Sequence, residues 1–310
     1  MSSPSGPEKV SIVLGGGGAK GFVHLGVLEA VAERECEIVA VYGTSIGAII
    51  GALFAYHLTF DHAQHPRLVA QKKAAASVKD LLLDTSFFRF ADINLSPFRR
   101  GFVSGKKFLR WLGTQLLAPG GVNSVRFQDL DLDLNITITN AKNGESVIAS
   151  KRHSPTTFVS AAVRASMSIQ GLFLEEIVDY NGQRILCWDG GVTGNCRFDL
   201  SAEDHPEALT IASSVTYRGE SEGLPNSALT AVLRPLLVLN RSADFWLRQI
   251  ESLTEHLLEP EKMKRVCIVR PDLAGVTTTD FHIPFATKRT LVENGRAATE
   301  AALRRHGSQL

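Results

Sequence analysis

Hydrophobic and polar positions alternate along this chain in two distinct rhythms. "KVSIVL" at Lys9–Leu14 is a short β-branched run that ends at glycine, and Val23, Val27, Ala30 and Val31 then recur at helical spacing. "EIVAVYG" at Glu37–Gly43 supplies a second strand, completing a β-α-β unit. Ile46, Ile49, Ile50 and Leu53 follow in a helix that is apolar on nearly every side, as a helix buried under a sheet must be. Residues 61–118 carry a mixed helical pattern interrupted by "TSFFRFADINLSPFRRGFVSGKKFLRW". "LNITITN" and "ESVIAS" flank Asn143–Gly144, and Asn181–Gly182 precedes "RILCWDGG", so two hairpins are expected. "LTIASSV" at 209–215 and "RVCIVRP" at 265–271 read as buried strands, separated by an amphipathic stretch from about Ala228 to Leu258. A last helix is expected from about Thr287 to Arg305. Alternating strands and helices predict an α/β layer fold with some antiparallel pairing.

Composition narrows this picture in three ways. A chain of 310 residues with 44% hydrophobic content can bury one large core, so a single domain over 1–310 is expected. A formal net charge of +1 gives no global field that would recruit nucleic acid. Met1 is followed by "SSPSGPEK" and no apolar run nears the roughly 20 residues that span a bilayer, which predicts a soluble, cytoplasmic protein. Cys36, Cys187, Cys196 and Cys267 form no C-x-x-C pair, arguing against a zinc site or a disulfide framework. Neither a metal nor a cofactor is called for.

The candidate chemistry begins at Gly15–Gly18. Gly16-Gly17-Gly18-Ala19-Lys20-Gly21 satisfies G-x-G-x-x-G between a strand and a helix, but the second strand ends in Gly43, Thr44 and Ser45 rather than the acidic residue that holds a ribose. A phosphate loop would need Ser/Thr after the lysine, where Gly21 stands. Gly43-Thr44-Ser45-Ile46-Gly47 is a G-x-S-x-G between strand and helix, the context of a nucleophile elbow. In a parallel sheet the loops after both strands emerge at the same edge, so the glycines bring N–H groups toward Ser45 and form an oxyanion hole, with the Ile46 N–H as a further donor.

Two kinds of base remain open on the residues alone. His205, His256, His282 and His306 are formal triad candidates, while His24, His57, His62 and His65 suit core or surface roles better. Asp189-Gly190-Gly191 places a carboxylate at the end of an apolar strand, although an aspartate making an Asx-turn has the same signature.

Taken together, "GGGGAKG" with "HLGVLEA", "GTSIG", "RASMSIQGLF" and "DGGVTGN" resemble the patatin-like phospholipases, over roughly Val10 to Asp199, with a family-like "LVENGRAATEAAL" near the end. The resemblance implies a three-layer α/β/α sandwich with a mainly parallel sheet. It implies Ser45 as nucleophile and Asp189 as general base in a dyad without histidine, and Gly16, Gly17 and Gly18 as the oxyanion hole. The motif-bearing core would span about 10–199, with 200–310 completing the fold or forming a lid. The expected activity is hydrolysis of phospholipid or other glycerolipid esters, an acyltransferase or an inactive lipid-binding module being the alternatives. Peripheral membrane contact is expected through Phe87, Phe88, Phe90, Phe98, Phe102, Phe108 and Trp111 with neighbouring arginines and lysines, a core-facing aromatic cluster being the other reading. "LRPLLVLNRSADFWLRQI" suits a dimer face or a lid; an activating partner and signal-free secretion stay open. Two departures from the family pattern are Gln170 and Arg197, where prolines are usual.

Overall fold

A computed structural model of the chain describes residues 6–90, 92, 103–170, 172–216, 258–278, 280 and 282–307. Among these, eight strands share one sheet: β1 (Glu8–Leu14), β2 (Cys36–Gly43), β3 (Asp133–Asn140), β4 (Ser146–Ser150), β5 (Glu176–Tyr180), β6 (Gln183–Asp189), β7 (Leu209–Ser213) and β8 (Val266–Val269). The order is β5-β6-β3-β2-β1-β7-β8, with β4 also paired to β3. The run from β3 to β8 is parallel, and β4, β5 and β6 add antiparallel pairs.

Alternation within the central strands explains the layers. Val10, Ile12 and Leu14 of β1 face the larger core cluster, while Val13 faces a smaller one with Tyr42 and Ala212. Five helices cover the first face: α1 (Val23–Ala32), α2 (Ile46–Tyr56), α3 (Arg67–Asp84), α5 (Val159–Ser166) and the C-terminal α8 (Phe285–His306). Between α3 and α5 the chain forms α4 (Lys106–Gln115). On the opposite face lie α6 (Phe198–Asp204) and the short α7 (Pro260–Met263). A mixed, mostly parallel sheet between two helical layers is the expected α/β/α sandwich.

The register of β3 controls what meets at the sheet's edge. Ile136 pairs with both Gly43 and Ala149, and Ile138 with both Asp189 and Val147. A residue's two ladder partners lie on opposite edges, so β4 takes one edge of β3 while β2 and β6 share the other. β2 runs parallel to β3 and β6 runs antiparallel, so their C-terminal ends approach each other head-on across Thr137. This delivers the residues after Gly43 and at Asp189 to one place.

Both expected hairpins are present. Asn181–Gly182 is a two-residue turn with both φ values positive (52° and 76°), whereas Asn143–Gly144 lies in a longer loop closed by the Asn140 N–H donating to Glu145 O. The described aromatic rings between 87 and 111 pack inward: Phe90 and Phe108 are buried, and Phe87 and Trp111 lie partly buried against them with edge or tilted contacts. That favours the core-facing reading for those four rings; Phe98 and Phe102 lie outside the described residues. The amphipathic stretch before Leu258, including "LRPLLVLNRSADFWLRQI", also falls outside them. No described helix is long and apolar enough to cross a membrane.

Candidate active site

Ser45 links β2 to α2 with φ 54° and ψ −116°, an arrangement that costs on the order of 1–3 kcal/mol in a residue with a side chain. Its neighbours make the turn sterically feasible. A Cβ on Gly47 would sit 2.0 Å from the Leu14 carbonyl oxygen, and one on Gly43 2.7 Å from the Ala48 Cα, so only glycine lets strand and helix close so tightly. Hydrogen bonds hold the strained unit in place. The Thr44 N–H donates to Leu14 O (3.1 Å), and the Ser45 N–H to Ser166 Oγ (2.9 Å), whose hydroxyl donates to Thr137 O (2.7 Å). Ser166 thus ties the elbow to the β3 residue between the two converging strand ends.

Asp189 ends β6 from the other direction. Its N–H donates to Ser168 O (2.9 Å), its carbonyl accepts from Thr139 Oγ1 (2.9 Å), and its Oδ1 accepts from the Gly191 N–H (2.8 Å). A Cβ on Gly190 would lie 2.1 Å from Thr137 O, which is why glycine follows the carboxylate. Burial raises the Asp189 pKa to about 6, against the opposing pull of the Gly191 N–H and the Ser45 side chain. Oδ2 is buried with no partner of hydrogen-bonding geometry among the described residues. The Ser45 side chain also favours the ionised carboxylate, which sets serine and aspartate beside each other.

The glycine loop divides by role. The Gly15 N–H donates to Ser213 O (3.1 Å), and the Gly16 N–H to Asn195 Oδ1 (3.0 Å) and Asn195 O (3.3 Å). Gly16 is therefore already engaged. The N–H groups of Gly17, Gly18 and Ile46 take part in no hydrogen bond among the described residues. Gly18 adopts φ 54°, and a Cβ there would meet Thr278 O at 2.2 Å. Ser45, Ile46 and Gly18 line a cavity of about 410 Å³ whose other walls include Phe22, Leu83, Phe87, Met167, Phe173 and Phe285.

His24 serves this loop from α1. It is fully buried, with Nε2 2.8 Å from Gly15 O and Nδ1 2.8 Å from Ser213 Oγ. A carbonyl only accepts, so Nε2 carries the proton and Nδ1 receives the Ser213 hydroxyl. Burial holds its pKa down to about 4, keeping the ring neutral.

The other described histidines make no hydrogen bond to Ser45. His205 Nε2 lies 2.9 Å from Asp133 Oδ2, His306 meets Lys264 O, and His256 lies outside the described residues. His282 lines the cavity, but no histidine is hydrogen-bonded to Ser45 among the described residues. Nor do the described residues group His, Cys, Asp or Glu into a metal site. Sequence reading missed Ser166, Asn195, Ser213 and the role of His24. The only signals for them were "RASMS" and the asparagine six residues beyond Asp189.

Comparison with known proteins gives a consistent result. The sequence model of the patatin-like phospholipase family matches residues 12–200. Lysophospholipase NTE1 of Kluyveromyces lactis is 32% identical over 287 residues, covering 88% of this chain and 18% of that protein. Lysophospholipase NTE1 of Chaetomium globosum is 32% identical over 188 residues, covering 61% of this chain and 11% of that protein. The chain thus spans less than a fifth of the length of these curated relatives. Among solved structures, VipD from Legionella pneumophila shares the fold with a TM-score of 0.62 at 16% identity, covering 98% of this chain and 68% of that one.

Proposed function

The chain belongs to the patatin-like phospholipase family, and from that premise we propose that it is a serine lipid acyl hydrolase working through Ser45 and Asp189. The observation that carries the reading is the strained Ser45 beside a buried carboxylate whose pKa is raised to about 6 and whose Oδ2 is left unpartnered. A strained serine and an orphaned buried carboxylate both cost stability, and a shared catalytic task accounts for keeping them together.

In this mechanism the Ser45 hydroxyl attacks the ester carbonyl carbon as its proton passes to Asp189. The tetrahedral oxyanion accepts hydrogen bonds from the Gly17, Gly18 and Ile46 N–H groups, with the N-terminus of α2 adding positive potential. Collapse breaks the carbon–oxygen bond to the glycerol, whose oxygen takes the proton back from Asp189. The acyl-enzyme is then cleaved by a water that gives its proton to Asp189, releasing the fatty acid and returning that proton to Ser45.

The cavity points to a single-chain lipid. At about 410 Å³ it lies near the small end of ligand pockets, roughly 300–1,000 Å³, and its walls are mainly apolar. That suits one acyl chain better than two, in keeping with the relatives that are named lysophospholipases. Contact with a membrane surface follows from such a substrate.

Labelling with a fluorescent fluorophosphonate tests the reading. Adduct mass is expected on the tryptic peptide containing Ser45 and absent in Ser45→Ala. Asp189→Asn is expected to lower kcat for a lysophospholipid ester by about 10²- to 10⁴-fold, the span of one general base. Well-folded wild type that neither labels nor hydrolyses would move the lipid-binding module ahead.

A further inference from the structure

We infer that Asn195 is a positioning residue of the oxyanion loop, fixing Gly16 so that the Gly17 and Gly18 N–H groups present themselves to the reacting carbonyl. The inference rests on the hydrolase reading above and names a device within the same site.

Asn195 is fully buried, 150 residues along the chain from Ser45, and meets the glycine loop through two atoms. Its Oδ1 and its main-chain carbonyl both accept from the Gly16 N–H, at 3.0 and 3.3 Å. The amide orientation follows from chemistry, because an N–H donor requires the oxygen rather than the nitrogen. Gly16 is moulded against it. A Cβ there would lie 2.7 Å from Asn195 Oδ1 and 3.2 Å from Ser45 Cβ, so the loop is pressed between the asparagine and the nucleophile.

The preceding residue secures the elbow. Thr44 Oγ1 donates to Gly194 O (3.1 Å), and the Gly194 N–H donates to Gly190 O (3.0 Å) within the turn that begins at Asp189. The segment from Asp189 to Asn195 therefore joins base, elbow and oxyanion loop as one continuous piece of backbone. Its last side chain is the link to the glycines.

The other half of the amide makes a structural explanation expensive. Asn195 Nδ2 is buried with no hydrogen-bond partner among the described residues. An orphaned buried donor costs more than one ordinary hydrogen bond returns. A smaller apolar residue would avoid that cost and still leave the Asn195 carbonyl on Gly16. What would be lost is the second acceptor, and with it the fixed direction of the Gly16 peptide.

The test combines an activity arm with one that needs no activity. In Asn195→Ala, amide hydrogen exchange in the peptide covering residues 14–22 is expected to accelerate at least tenfold, with the β3 and β7 peptides unchanged. In Asn195→Asp, which keeps an oxygen at the same place, exchange is expected to stay near wild type. In parallel, kcat for a lysophospholipid ester is expected to fall about 10- to 100-fold in Asn195→Ala with KM within about threefold, below the 10²–10³ of losing a donor outright. A tetrahedral-adduct inhibitor of the trifluoromethyl ketone type is expected to weaken in step with kcat, whereas a ground-state ether analogue is not. Unchanged exchange over residues 14–22 in Asn195→Ala would overturn the inference, as would equal weakening of both inhibitors. Wild type that cleaves no ester would overturn the hydrolase reading alone, because the exchange arm still reads the Gly16 contact.

Discussion

Asp189 and His24 are both buried, and burial shifts both toward their neutral forms. The consequences for stability have opposite signs. Asp189 goes from 3.8 when unfolded to about 6, so between those values the native state binds more protons and stability falls as pH rises. His24 goes from 6.5 to about 4, so between those values the unfolded state binds more protons and stability rises with pH. Asp189→Asn removes only the first. It is expected to melt several degrees above wild type at pH 7–8, reflecting on the order of 1–3 kcal/mol, and the advantage is expected to vanish as pH falls toward 4. On the proposed mechanism, wild-type kcat/KM is expected to rise through a single ionisation near pH 6, where Asp189 loses its proton. A pH–rate profile and melting curves from pH 4 to 8 check both, and an advantage that persists at pH 4 would exclude the linkage. The turn at Ser45 and the strand end at Asp189 were legible in the sequence because each needs glycines beside it, and glycines in that order are visible in one dimension. Ser166, Asn195 and His24 were not. Their partners lie 121, 179 and 189 residues away, and a buried asparagine or serine leaves no trace in the pattern until its acceptor is known.

Elements were more legible than their pairings. Runs such as "KVSIVL" and "EIVAVYG" have the right length and branching for strands, and α2 was visible from its continuous apolar stretch. That β2 and β6 share one edge of β3 was hidden, because register belongs to two strands at once. The inward packing of Phe90, Phe108 and Trp111 was hidden likewise, since aromatic residues alternating with lysine and arginine fit a core or an interface equally well. Helix contacts supply a prediction at this scale. α1 and α8 approach so closely that a Cβ on Gly26 would lie 1.8 Å from Val292 O and one on Gly295 2.0 Å from Val23 O. Backbone cannot yield there as a flexible side chain would. Gly295→Ala is expected to cost about 1–3 kcal/mol by overpacking, and to raise KM because Phe285 and Lys288 at the start of α8 line the cavity. Gly113→Ala in α4 is the control. Nothing lies within 4 Å of its Cβ position, so the alanine is expected to stabilise by up to about 1 kcal/mol through helix propensity. Chemical denaturation of both variants checks the pair, and equal effects would exclude the close approach.

At the scale of the whole molecule, the familiar motifs end near residue 200 but the site does not. β7, at Leu209–Ser213, pairs with β1 along its length, and Ser213 holds the glycine loop directly and through His24: its carbonyl accepts from the Gly15 N–H, and its hydroxyl meets His24, which in turn reaches Gly15 O. β8 then pairs with β7, and α8 covers α1, the helix that carries His24. Removing everything after residue 208 would expose one long edge of β1 and strip the loop of its only contacts on that side among the described residues. An exposed edge of unpaired N–H and C=O groups invites association. The shortened chain is therefore expected to aggregate or to lack a cooperative thermal transition, and to leave Ser45 unlabelled by fluorophosphonate. A soluble fragment of residues 1–208 that melts sharply and labels at Ser45 would overturn this, and would make residues 209–310 an appendage. The expectation that the chain behaves as one cooperative unit rests on β1 lying between β2 and β7, because a strand with neighbours on both edges cannot lose one without weakening the loop that follows it.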